Sequence, residues 1–204
     1  MPRDKTESHE RIVNAAFLEF MKYGFKDASM RRIAATSGMS ASGLYKHFPS
    51  KEDMFAALVE PVYEELKRQY AVISEAEVQD IDVSRMEEDW DQNSETTWIT
   101  RFIYQHFNAF KLLVCRSQGT RFENYIHELA TLEEASTRKY IQKAQTLGSP
   151  IQMIPEHEYH LFVTSAIEAI MQPVAHDFTE EEALSYARHL DAFYSAGWKT
   201  LFGL

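Results

Sequence analysis

Ile12, Ala15, Ala16, Phe20 and Tyr23 stand at i, i+3, i+4, i+8 and i+11. That is the period of one apolar face on an α-helix, and it predicts a first helix over about residues 6–23, stopped by Gly24. Ser29 reads as the N-cap of a short second helix that carries Ile33 and Ala34 and ends before Gly38. Ser40 caps a third helix over Ala41–His47, which Pro49 ends because proline disfavours helical geometry in the residue before it. Ser50 caps a fourth, with Glu52 and Asp53 in its first turn, and Pro61 is expected to kink it or to begin a new segment. Further helices are predicted near residues 94–117, 121–147, 156–172 and 180–202, the last opened by a capping box of Thr179 with Glu182. No stretch alternates with a period of two. The fold class is therefore all-α: a small three-helix helix-turn-helix head, residues 1–50, joined by a linking helix to a larger helical body, residues 51–204.

On a helical wheel the third helix turns Ala41, Leu44 and Phe48 inward and Ser42, Gly43 and Lys46 outward, with Tyr45 and His47 on the flanks. A low outer face of this kind suits a DNA major groove, where Lys46 reaches a guanine edge or a phosphate and the flanking rings touch the groove walls. Gly43 inside a short helix costs about 1 kcal/mol relative to alanine, so close approach of another surface explains it better than stability does. Ser29 and Ser50 expose helix N-termini to phosphates, with Arg31 and Lys51 beside them. A plain helical hairpin with Tyr45 and His47 on its surface is the alternative.

Charge sharpens the picture. The net charge is −10, yet residues 1–51 hold nine basic against five acidic side chains and the remainder twelve against twenty-six. A basic head on an acidic body lets one end meet a polyanion while the rest repels it. No apolar run approaches the roughly 18 residues of a membrane span and no segment reads as a signal peptide, so the expectation is a cytoplasmic chain with no membrane partner. Cys115 is the one cysteine and reads as a buried, inert thiol. The acidic stretch over residues 75–91, opposed only by Arg85, reads as a solvated helix end and connection.

Residues 11–60 carry a Phe20-x-x-x-Gly24-Phe25 exit from the first helix, then Ile33-Ala34, Ser37-Gly38-Met39-Ser40, Leu44-Tyr45-x-His47-Phe48 and Ser50-Lys51-Glu52. In this order and spacing they resemble the N-terminal signature of the TetR family of bacterial transcriptional regulators. The resemblance covers about a quarter of the chain strongly; where members often carry threonine, this chain has Ser29 and Met30. It implies a homodimer on a pseudo-palindromic double-stranded DNA operator, with a body that binds a small apolar or amphipathic effector. By matching position, Ser29, Arg31, Ser40, Ser42, Gly43, Tyr45, Lys46, His47 and Lys51 take the DNA contacts: Ser42, Gly43 and Lys46 toward bases, Tyr45, His47 and Lys51 toward phosphates. No cofactor is implied.

The last helix sets Ala183, Ala187, Leu190, Tyr194, Trp198 and Leu201 along one seam, and the helix before it offers Tyr159, Phe162, Val163, Ala166, Ile167 and Ile170. In the resembled family the last two helices form a four-helix dimer interface, to which Phe162, Ala166, Ile170, Ala187, Leu190, Tyr194, Trp198 and Leu201 are assigned; packing within one chain is the equal alternative. Trp98, Phe102, His106, Phe107, Phe122, Tyr125 and Phe162 are candidates for an apolar cavity, against the reading of ordinary core. His157 and His160 lack further ligands for a metal and read as solvated surface. Three functions remain: a ligand-responsive repressor, a DNA-binding regulator governed by a protein partner, and a helical-bundle enzyme. The last is disfavoured, because no paired Glu-x-x-His, phosphate loop or nucleophile elbow is present.

Overall fold

The structure, a computed structural model, describes residues 5–84 and 95–204, with side chains from His9 onward. Its helices are α1 (Lys5–Asp27), α2 (Met30–Ser37), α3 (Ala41–His47), α4 (Lys51–Gln79), α5 (Glu95–Gln105), α6 (Phe107–Arg116), α7 (Tyr125–Thr146), α8 (Glu156–Ala175) and α9 (Glu180–Phe202). The described residues contain no strand, and no helix among them is long and apolar enough to cross a membrane.

Most expected elements are present, and four boundaries differ for identifiable reasons. Gly24 does break the first helix, at φ 70° and ψ 174°, but a short turn resumes and carries α1 to Asp27. α4 runs unbroken through Pro61: its ring faces solvent, and the carbonyl it leaves unpaired belongs to exposed Ala57, where water is at hand. The single helix expected over 94–117 is two, because His106 leaves helical geometry (φ −121°, ψ 33°) and opens α6. α8 continues past the expected stop, through Pro173 to Ala175, and closes with the His176 N–H donating to Gln172 O at 3.0 Å. The acidic connection falls partly in α4 and continues through a turn at residues 80–84, and residues 85–91 lie outside the described residues.

The chain forms two compact units, Met1–Glu64 with His106–Asn124 and Glu65–Gln105 with Tyr125–Leu204. The division expected after residue 50 thus lies further on, inside α4, and α6 joins the first unit because it packs on α1. The first unit closes around Phe20, Ile33, Leu44, Met54 and Phe55, all fully buried. Phe55 meets Phe20 edge-on at 5.2 Å between ring centroids and Phe25 at 5.8 Å, and Phe122 lies 6.2 Å away. Aromatic pairs at such distances add to the stabilisation that burial of the rings supplies. In the second unit α8 packs on α7 and α9, and α9 packs on α5, around Ala130, Ile141, Ala144, Ile151, Tyr159, Val163 and Phe202.

Candidate functional site

α2 ends where Gly38 takes the left-handed conformation (φ 72°), with its N–H on Ala35 O at 3.2 Å and that of Met39 on Ala34 O at 2.9 Å. This is a Schellman turn, and a side chain at Gly38 would strain it. Ser40 then caps α3, its Oγ accepting from Gly43 N at 3.1 Å. The turn leaves Leu44 fully buried and Ser42, Tyr45, Lys46 and His47 exposed, Tyr45 by 46 %. Gly43 is half-buried, and a Cβ there would come 3.1 Å from Ser40 Oγ.

Two expected contacts are otherwise engaged. Ser29 has no side-chain cap bond, and its N–H donates to Glu19 Oε1 at 2.8 Å, so a carboxylate already sits at the start of α2. The ammonium of Lys51 donates to Lys26 O at 2.7 Å and Ala28 O at 3.3 Å and stands 4.8 Å over the Phe25 ring, so two of its three N–H donors are engaged within the head. Likewise Ser50 is turned into its own helix: its Oγ accepts from Asp53 N and donates to Asp53 Oδ2. Sequence reasoning missed Glu19. This carboxylate, 8 % exposed, also accepts from Arg32 Nε at 2.8 Å and ties α1 to α2. Arg32, itself exposed, further donates to Asp27 O and lies over the Tyr23 ring, and Arg31 beside it is exposed as well. An apolar helix face carrying one acid four residues before Tyr23 was the available signal.

The second unit holds a cavity of about 160 Å³. Ile99, Leu129, Leu132, Ala166, Ile167 and Ile170 supply apolar wall, and Tyr70, Glu95, Glu133, Tyr159 and Trp198 supply the polar and aromatic part. These last five also border a wider open groove of about 1000 Å³. Glu133 accepts from Tyr70 Oη on one oxygen and from Thr137 Oγ1, at 2.8 Å, on the other. Glu95 is held well above the usual carboxylate range, first by burial and then by the charges of Glu133, Glu77 and Asp191. Burial, followed by the charge of Glu133, also pushes the Tyr70 and Tyr159 phenols up, so both remain hydroxyl donors at neutral pH.

None of the seven residues expected to line a cavity lines this one. Phe102, Phe122 and Tyr125 are core, Trp98 and Phe107 are half-buried, and His106 and Phe162 are exposed. Residues assigned to the dimer seam line it instead: Ala166, Ile170, Leu190, Tyr194 and Trp198. Ala187 and Leu190 are buried in their own chain, because α5 covers that face of α9. Of the assigned seam only Phe162 and Leu201 are exposed, beside Leu161 at 68 % and Phe193 at 72 %. His160 is not plain surface either, since its Nδ1 pairs with Glu134 Oε1 and its ring meets that of His127 at 5.0 Å.

A Schellman-turned helix pair with an exposed polar second helix defines a helix-turn-helix head. Residues 12–58 match the family model for bacterial regulatory proteins of the tetR family. Over that stretch the chain is similar to the DNA-binding segment of the tetR family of bacterial regulatory proteins. It is 33% identical over 70 residues to the HTH-type transcriptional repressor AcnR of Corynebacterium glutamicum, a stretch covering 34% of this chain and 36% of that one. It is 34% identical over 62 residues to the HTH-type transcriptional regulator YdgC of Bacillus subtilis, covering 30% and 32%. The matched stretch thus spans about a third of each curated relative. Among solved structures, the regulator FadR of Bacillus subtilis in complex with stearoyl-CoA is similar in fold, with a TM-score of 0.59, 14% identity and coverage of 93% of this chain and 98% of that one. A TetR-family regulator of Mesorhizobium loti has a TM-score of 0.55 at 19% identity, covering 96% and 98%.

Proposed function

We propose that this protein is a ligand-responsive transcriptional repressor that binds a pseudo-palindromic operator as a homodimer and releases it when an effector enters the body. The observation that carries the reading is the exposed face of α3, where Ser42, Tyr45, Lys46 and His47 stand clear of the core over a helix-turn-helix turn. Ser42, Gly43 and Lys46 face bases, Tyr45 and His47 hold phosphates, and Arg31 adds charge beside them. The matched relative in Corynebacterium glutamicum is named a repressor, which supports the sign of regulation. The body cavity and the fold neighbour solved with stearoyl-CoA support an effector. Exposed Leu161 and Phe162 on α8 and Phe193 and Leu201 on α9 support pairing of two copies through these helices.

The test is fluorescence anisotropy with the DNA upstream of the protein's own gene. The expected result is a specific complex that weakens as salt rises, with Lys46→Ala costing about 1–3 kcal/mol, or roughly five- to 150-fold, for a lost base contact. Sedimentation of the free protein is expected to give twice the chain mass. Binding without sequence preference, or a lone chain on the operator, overturns the reading.

A further inference from the structure

We infer that the effector is an amphipathic cation: an apolar, ring-bearing body that fills the cavity of the second unit, with one positive charge set between Glu95 and Glu133. This rests on the reading that the cavity holds the effector, and it goes further by naming the effector's charge. Three observations carry it. First, among the described residues the cavity wall is apolar apart from Glu95, Glu133, Thr96 and three tyrosines, and no lysine, arginine or histidine among them lines it. Second, no hydrogen bond from the described residues reaches the Glu95 carboxylate, which faces the cavity and the groove at once. Glu133, by contrast, is held as an acceptor by Tyr70 and Thr137. Third, the mouth is aromatic: the Tyr159 and Trp198 rings meet at 5.3 Å, and Trp198 stacks on Phe202 at 5.6 Å.

These groups sort ligands by charge. A carboxylate, phosphate or thioester-linked nucleotide entering here meets two acids and no base in the cavity. Along the outer groove it passes six acids, Glu77, Asp80, Asp82, Glu95, Glu133 and Asp191, against Arg188 and Lys199. An ammonium gains from both carboxylates in a partly desolvated place and from the negative faces of the Tyr159 and Trp198 rings. It also relieves the repulsion between Glu95 and Glu133, which after burial is the next cause that raises the proton affinity of Glu95 in the empty cavity. Volume sets the size class: an apolar cavity of about 150 Å³ takes one benzene ring, so a single ring sits inside and the remainder of the ligand extends into the groove. Ser195 borders that groove, and its hydroxyl oxygen is buried without a partner, leaving one further hydrogen bond for a polar substituent.

The experiment titrates the full chain at pH 7.5 with three probes of one shape, 4-phenylbutylamine, 4-phenylbutan-1-ol and 4-phenylbutanoate, by calorimetry and by tryptophan fluorescence. The amine is expected to bind at least tenfold more tightly than the alcohol, with the carboxylate weakest. Glu95→Gln is expected to bring the amine and alcohol constants together, and Glu133→Gln serves as the second variant should the first fail to fold. A carboxylate bound as tightly as the amine, or an amine preference that survives Glu95→Gln, overturns the cation and leaves the effector cavity standing. If none of the three binds at millimolar concentration, the cavity reading falls and the cation with it.

Discussion

Gly43 and Ser40 compete for the same space at the start of α3, and their coupling can be worked out from the geometry. Replacing Gly43 by alanine gains up to about 1 kcal/mol of helix propensity. The added Cβ, however, lies 3.1 Å from Ser40 Oγ and 3.5 Å from Met39 Cε. The methionine end can swing away, but Ser40 Oγ already holds Gly43 N at 3.1 Å, so moving it weakens the cap. Loss of such a cap costs about 1 kcal/mol. Gly43→Ala alone is therefore expected to change the stability of α3 by less than about 0.5 kcal/mol, and Ser40→Ala alone to cost about 1 kcal/mol. With the hydroxyl absent the alanine keeps its full gain, so the double variant returns close to wild type, a coupling of about 1 kcal/mol. Amide exchange of Leu44 and Phe48 reads this directly, since their N–H groups donate to Ser40 O at 3.0 Å and Leu44 O at 2.9 Å. Tryptophan fluorescence does not serve, because the described residues of the first unit include no tryptophan. Strict additivity, with Gly43→Ala stabilising by about 1 kcal/mol in the presence of Ser40, would refute the reasoning. Operator affinity measured on the same variant separates roles: unchanged stability with weakened binding marks Gly43 as the point of closest approach.

Three further outcomes are expected. Phe55→Ala, which empties a site walled by Phe20, Phe25 and Phe122, should cost about 3–5 kcal/mol in urea denaturation, and a loss under about 1.5 kcal/mol means that the rings close the gap. The carboxyl of Glu95 binds its proton more tightly folded than unfolded, so its favourable contribution is complete below the unfolded value of about 4.3 and is lost as pH rises through the higher folded value. Glu95→Gln should then raise the melting temperature relative to wild type at pH 7–8 and leave it level at about pH 4; an equal offset at both ends contradicts the burial of that acid. Lys51→Met removes two hydrogen bonds to the Lys26 and Ala28 carbonyls, so amide exchange near residues 28–30 should quicken while the salt slope of operator binding stays as it was. A slope lower by about 0.9 per chain returns Lys51 to the phosphates.

The head was legible at short range because its devices are local. A serine before a helix, a glycine after one and a single buried leucine in a helix of seven residues each act within five residues, and α3 has the bounds expected of it. The same locality explains where reading failed. Pro61 and Pro173 signal breaks, but whether a proline interrupts a helix depends on which side of it faces water or partner, and both helices run through. His106 carries no breaking signal at all, yet its backbone divides α5 from α6.

The amino-acid order alone determined the all-helical class, the apolar faces, the caps and the polar outer side of α3, since each follows from spacing along one helix. Only the tertiary structure decided which neighbour each face meets. The stripe with Ala187, Leu190, Tyr194 and Trp198 has one and the same period whether it meets a second copy, its own chain or a cavity, and here it turns to its own chain and the cavity. Glu19 on α1 reaches α2, and Glu95 and Glu133, thirty-eight residues apart in sequence, face one hollow. Those pairings rest on long-range packing, which periodicity along a single helix does not encode.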